Sequence, residues 1–178
     1  MSQIFLVSGG CRSGKSRFAL SLAETYERAI YLATAQVYDD EMADRVLRHQ
    51  QERPSHMRTI EEPLKLEALL ETSLDCDVLI WDCLTLWLSN MLCEGHSIDQ
   101  TLEQLQGILS ILGSQSYDSI IVSNEVGLGI VPESALGRQF RDLAGWAHQM
   151  IVPLAKEAYL LAMGVPIGLK ALQKSQQL

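Results

Sequence analysis

Several kinds of residue pattern are scarce in this chain of 178 residues, and each shortage removes a class of protein. Its four cysteines, Cys11, Cys76, Cys83 and Cys93, form no CxxC pair, which speaks against a zinc site and against a disulfide framework. Positive charge is also short, with 14 Lys and Arg against 22 Asp and Glu and a formal net charge of −8. A nucleic-acid partner normally needs a basic face, so none is expected. No apolar run approaches the roughly 18 residues of a membrane span, and no charged-then-apolar leader opens the chain. Repeats and low-complexity segments are absent too. Scattered thiols without a leader point to a cytoplasmic protein. The length points to one domain over residues 1–178, long enough to bury a sizeable core.

What is present begins with Gly9-Gly10-Cys11-Arg12-Ser13-Gly14-Lys15-Ser16, a G-x-x-x-x-G-K-S run directly after the apolar Ile4-Phe5-Leu6-Val7. This is the pattern of a phosphate-binding loop, in which glycines let successive N–H groups point inward and a following helix aims its positive end at an anion. In that reading Lys15 reaches the β- and γ-phosphates of a nucleotide and Ser16 ligates Mg²⁺. The bland alternative is a glycine-rich turn between strand and helix.

Short β-rich runs alternate with longer helical patterns, the signature of a mainly parallel sheet covered on both faces. Strands are expected near Phe5–Val7, Ala29–Ala33, Val78–Trp81, Ser119–Ser123 and Ala158–Ala162, with an edge hairpin from Gly164 to Leu169. Helices are expected at about 14–27, 40–52, 64–72, 84–93, 99–113 and 133–152, the last broken or kinked near Pro153. The fold class is therefore α/β: a P-loop NTPase, RecA-like, built as a three-layer sandwich with a short C-terminal edge hairpin. Ligands in such folds gather beyond the carboxyl ends of the strands.

Three further stretches lie at those ends. Val78-Leu79-Ile80-Trp81-Asp82 is an apolar strand ending in a carboxylate, which either holds Mg²⁺ as a Walker B aspartate or caps the next helix. Thr85 and Asn90 follow, facing the same cleft or lying on a helix surface. Asp39 and Asp40 suit the start of a charged helix on which His49 shares a face with Arg45 and Met42; on physical grounds alone His49 reads as a solvated surface histidine. Ser123-Asn124-Glu125 leads into a loop with Gly127 and Gly129, where Glu125 can orient a hydroxyl or the stretch can be a tight crossover with Pro132 in the first helical turn. Arg138, Arg141 and Asp142 share a helical face, as a phosphate clamp or a surface ion pair. Trp87, Met91 and Leu92 suit either a subunit contact or the core of one helix.

Together these residues resemble the bifunctional adenosylcobinamide kinase / adenosylcobinamide-phosphate guanylyltransferase family of cobalamin assembly. The resemblance is carried by the phosphate loop, Ala33-Thr34-Ala35, Asp39-Asp40-Glu41-Met42, His49 with Arg53-Pro54, Asp82-Cys83-Leu84-Thr85, Ser123 through Glu133 and Phe140-Arg141-Asp142. One departure stands out. Where that family often has Gly-x-x-Asn-Gln, this chain has Gly145-Trp146-Ala147-His148-Gln149.

The resemblance implies phosphorylation of the aminopropanol hydroxyl of adenosylcobinamide by ATP or GTP, then transfer of GMP from GTP to that phosphate with release of pyrophosphate. It implies a histidine–GMP intermediate at His49, which reverses the physical reading of that residue. It further implies nucleotide contacts from Gly9 through Ser16, Thr34, Ala35, Arg53, Glu61, Asp82 and Glu125, Mg²⁺ at Ser16 and Asp82, catalytic roles for Lys15 and His49, and a homo-oligomer, trimeric in family members. A P-loop small-molecule kinase of other specificity and a RecA-like ATPase module stay open as alternatives. Neither predicts a covalent nucleotide adduct.

Overall fold

The computed structural model describes residues 2–36, 47, 50, 54 and 57–175. The helix expected at 40–52 therefore lies outside the described residues, except for Leu47 and Gln50, and so do Asp39, Asp40, His49 and Arg53.

Seven strands form one sheet: β1 (Ile4–Gly9), β2 (Ala29–Ala33), β3 (Arg58–Glu61), β4 (Val78–Asp82), β5 (Asp118–Asn124), β6 (Glu157–Ala162) and β7 (Val165–Gly168). Their order is β3-β2-β4-β5-β1-β6-β7. Every pairing is parallel except β6 with β7, the antiparallel edge hairpin expected from the sequence. Pro166 is tolerated there because β7 has a free side. The helices described are α1 (Lys15–Ala23), α2 (Leu66–Leu70), α3 (Leu84–Cys93), α4 (Ile98–Ser114), α5 (Ala135–Leu154) and α6 (Leu169–Ser175).

Strand alternation sorts the side chains into two cores. Leu6, Ile30, Leu32, Leu79, Trp81 and Ile121 pack to one side, under α2, α3, α4 and α5. Val7, Tyr31, Ala33, Val78, Ile80, Ile120 and Val122 face the other side, where α1 brings Ala19 and Ala23. Trp87 and Met91, with Leu84 and Leu88, are buried in the first core, so α3 is an internal helix and those residues are not a subunit contact. Each such side chain contributes about 1.5–3 kcal/mol of burial, and Trp81 meets Trp87 edge to face at 5.7 Å. Ser97 starts α4 with a capping box that includes Gln100.

Some boundaries differ from expectation. α1 ends at Ala23, four residues early, and α5 begins at Ala135 behind the cap Ser134 and runs through Pro153 to Leu154. Pro153 lies in the final turn, where a missing N–H costs one hydrogen bond and leaves the earlier turns intact. β3 and α6 were not expected; Arg58-Thr59-Ile60-Glu61 is mostly exposed and has no apolar run to announce a strand. No helix among the described residues is long and apolar enough to cross a membrane.

Candidate functional site

The loop between β1 and α1 has its shape from two glycines. Gly14 adopts the left-handed conformation (φ 93°) as the residue before α1, and a Cβ on Gly9 would come within 2.6 Å of the Leu161 carbonyl oxygen and 2.8 Å of Ser13 Oγ. α1 has no side-chain cap and no acidic residue in its first turn, so its leading N–H groups and dipole are left for an anion. Lys15 is buried and its Nζ donates to the Gly10 carbonyl at 2.6 Å, folding the ammonium over the loop. Ser13 Oγ is buried with no hydrogen-bond partner, a polar group aimed into the same cradle.

Asp82 reaches this loop across an intervening strand. β5 lies between β4 and β1, yet Asp82 shares the face of Val78 and Ile80, which is the face α1 covers. Ser16 Oγ donates to Asp82 Oδ2 at 2.9 Å, and the Tyr31 hydroxyl donates to the same oxygen. Register explains the tyrosine: Tyr31 is opposite Ile80, so it shares a face with Asp82 two residues on. Asp82 does not cap α3; the residue before that helix is Cys83 and no side chain caps it.

Behind Asp82 the backbone is locked by buried polar side chains. Thr34 Oγ1 donates to the Cys83 carbonyl (2.8 Å) and accepts from the Cys83 N–H (2.9 Å). Asn90 Nδ2 donates to the carbonyls of Thr34 (2.9 Å) and Pro63 (3.0 Å). Thr85 Oγ1 accepts from the Asn124 amide side chain at 3.1 Å. Thr85 and Asn90 are thus buried bracing groups, neither cleft-facing nor surface residues. Burial, and then the nearby Asp82 carboxylate, push the Cys83 thiol up to about 11.

Glu125 closes the other side. Its N–H donates to the Gly9 carbonyl at 2.9 Å, tying the end of β5 to the start of the loop. Its Oε1 accepts from the Gly127 N–H at 2.5 Å, and its Oε2 lies 3.7 Å from Nδ1 of His148. Arg138 donates to the carbonyls of Pro132 (3.1 Å) and Glu133 (2.6 Å), while Arg141 Nη1 is buried without a partner.

Gly9 through Ser16, Thr34, Asp82 and Glu125 therefore meet at the carboxyl edge of the sheet, with Ala35 directly after Thr34. Glu61 ends β3 opposite Ala33, exposed, with the Gln50 amide 3.5 Å from its Oε1. His49 and Arg53 lie outside the described residues. Sequence reasoning missed Tyr31 and marked His148 only as a departure, without a role. Strand parity flags the first once the β2–β4 register is known, and the departure from Asn flags the second.

Comparison with known proteins gives the family. The family model for cobinamide kinase / cobinamide phosphate guanyltransferase matches residues 5–169. A bifunctional adenosylcobalamin biosynthesis protein, CobP, of Pseudomonas aeruginosa is 44% identical over 169 residues, covering 93% of this chain and 96% of that protein. CobU of Escherichia coli, of the same description, is 37% identical over 180 residues, covering 94% of this chain and 99% of that protein. Among solved structures, an ATPase from a bacterial type III secretion system superposes with a TM-score of 0.57 at 10% identity, over 97% of this chain and 53% of that one. That likeness concerns the fold, a P-loop ATPase sheet with its helices. From the loop geometry, the extent of the family match and the full-length relatives, the chain belongs to the cobinamide kinase / cobinamide phosphate guanyltransferase family.

Proposed function

We propose that this chain phosphorylates adenosylcobinamide with ATP or GTP and then transfers GMP from GTP to the resulting phosphate, using one nucleotide cradle for both steps. The observation that supports it best is the convergence of an uncapped α1, Lys15 and the Ser16–Asp82 pair at one end of the sheet. The loop amides and Lys15 bind the triphosphate tail, and Ala35, Arg53, Glu61 and Glu125 complete the nucleotide contacts, whereas Thr34, expected among them, is fully buried and braces Cys83 instead. In the first step the cobinamide hydroxyl oxygen bonds to the γ-phosphorus, the bond to the bridging β-oxygen breaks, and the nucleoside diphosphate and a proton leave. Phosphoryl transfer asks the protein chiefly for position and charge neutralisation, which Lys15 and the amides supply.

Ser16 and Asp82 suit Mg²⁺, since a hydroxyl and a carboxylate oxygen 2.9 Å apart form a hard-oxygen pair beside the loop. When bound, the ion neutralises phosphate charge and orients the tail. In the second step a neutral His49 imidazole attacks the α-phosphorus, pyrophosphate leaves, and an oxygen of the cobinamide phosphate displaces the histidine to give adenosylcobinamide-GDP. Because the loop grips the β- and γ-phosphates, either His49 approaches the α-phosphorus or GTP sits differently in this step.

Incubation with α-labelled GTP and Mg²⁺ tests the reading. Acid-labile, base-stable label on the protein is expected. Label that is absent, or undiminished in His49→Ala, overturns the guanylyl step. Lys15→Ala should impair both steps, whereas His49→Ala should spare phosphorylation. The same reading makes the enzyme a cytoplasmic homo-oligomer, a trimer, with the exposed Leu128, Ile130 and Val131 as apolar surface for association. Light scattering that returns a monomer overturns that part.

A further inference from the structure

At the end of β5, alternation turns Ser123 to the side of the sheet that α5 covers. There Ser123 Oγ lies 2.7 Å from His148 Nε2, and His148 Nδ1 lies 3.7 Å from Glu125 Oε2. Serine, histidine and carboxylate are connected as in a hydrolytic triad, but Ser123 is fully buried and can meet no substrate. The chain of contacts has its open end at Glu125, the residue whose backbone is tied to Gly9.

The ring's tautomer follows from its neighbours. Nδ1 faces a carboxylate oxygen, so it carries the proton, and Nε2 is left to accept the Ser123 hydroxyl. At 3.7 Å the Nδ1–Oε2 contact is electrostatic and too long for a hydrogen bond. Protonation would make Nε2 a donor, force the Ser123 hydroxyl to turn, and draw Glu125 onto a cationic ring.

We propose that His148 is a positioning residue for Glu125, leaving that carboxylate free beside the phosphate loop while the imidazole is neutral and capturing it when the imidazole is protonated. The inference rests on the proposed contact of Glu125 with nucleotide or accepting hydroxyl. Burial pushes the His148 ring below the ordinary histidine range, and Glu125 opposes that shift. Of the elements packed on α5, β1 brings no charged residue, α3 brings only the exposed Cys93 thiol, and Asp99 and Glu103 of α4 are exposed. Asp118 sits at the far end of β5 bonded to Gln3 and Tyr26, and Lys170 of α6 donates to the carbonyls of Val152 and Ala155. On α5 itself, Arg141 is seven residues upstream and Asp142 is exposed. Glu125 is the charged group that acts on the ring. The ring is thus neutral at pH 7 and charges only in acid.

Nitrogen-detected NMR of the ¹⁵N-labelled full chain reads this without any activity. The Nδ1–H tautomer is expected at pH 7, with a titration midpoint below the ordinary value that falls further in Glu125→Gln. The other tautomer, or a midpoint indifferent to Glu125→Gln, overturns the proposal. Kinetics add a second readout. His148→Ala should lower the phosphoryl-transfer rate about 10- to 100-fold, the cost of a misplaced group. His148→Asn, whose amide N–H replaces Nδ1–H but does not titrate, should restore much of that rate and lack the wild-type acid limb. An acid limb that persists in His148→Asn, while Glu125→Gln alters the rate, overturns this inference alone. Unchanged kinetics in Glu125→Gln overturn it together with the assignment of Glu125 to the site.

Discussion

Ser16 and Asp82, 66 residues apart, share a hydrogen bond of 2.9 Å that joins the first turn of α1 to the end of β4 over the top of β5. The pair holds two hard oxygens side by side, and Tyr31 donates to the same carboxylate oxygen. Asp82→Asn keeps a hydrogen-bonding side chain of the same shape but removes the charge. Phosphoryl transfer should fall by about 10²-fold or more, with the Mg²⁺ concentration for half-maximal rate shifted upward. Steady-state rates across a Mg²⁺ titration check it, and an unchanged midpoint would remove Asp82 from the metal site.

The loop is equally exacting about volume. A Cβ at Gly9 would press on backbone at Leu161 and on Ser13 Oγ, whereas one at Gly113, exposed in the last turn of α4, would meet nothing within 4 Å. Gly9→Ala should destabilise by about 1–3 kcal/mol and weaken nucleotide binding, while Gly113→Ala should stabilise by about 0.5–1 kcal/mol. Urea unfolding of the two variants gives opposite signs if the close approach at Gly9 is real.

Thr34 acts through one hydroxyl that satisfies both backbone groups of Cys83, and the residue is fully buried. Thr34→Val is close in shape but strands the buried Cys83 N–H, at about 1–3 kcal/mol, while the Cys83 carbonyl keeps the Trp87 N–H at 3.2 Å. Thr34→Ser keeps both bonds and loses a methyl worth about 1 kcal/mol. The valine variant should therefore be the less stable in urea, and equal midpoints would show that the Cys83 N–H finds another partner.

How far the sequence foretold this site depends on whether a feature is local. The loop was legible because its glycines and Lys15-Ser16 act through consecutive backbone, and the β-rich runs from Ala29 and Val78 were legible because both faces of those strands are buried. β3 was not, since Arg58, Thr59 and Glu61 are exposed at the sheet edge and its hydrogen bonds leave no hydrophobic trace. Asp82 was recognisable as a strand-end carboxylate, but its approach to Ser16 depends on strand order and parity, which no local pattern encodes. The Ser123–His148 contact is of the same kind: it needs the rotation of α5 against β5, fixed by the burial of Leu143, Ala144, Ala147 and Ile151.

Two buried thiols set the response to alkali. Cys83 is pushed up to about 11 by burial and then by Asp82, and Cys76 up to about 11 by burial and then by Asp77, both from an ordinary 9.0. Folded values above unfolded ones mean that the native state holds these protons more tightly. Their stabilisation is complete below about pH 9 and is lost as pH rises toward 11, at up to about 1.4 kcal/mol per pH unit for each thiol. Tyr26 and Tyr117, pushed up to about 12, chiefly by burial, extend the loss in the same direction at higher pH. Urea midpoints measured from pH 7 to 11 should stay flat with respect to these groups until about 9 and then fall. Cys83→Ala should be less stable at pH 7, because it leaves a cavity, yet lose less between pH 9 and 11 than the parent. If parent and variant fall in parallel over that interval, the Cys83 thiol is not a source of the alkaline limb.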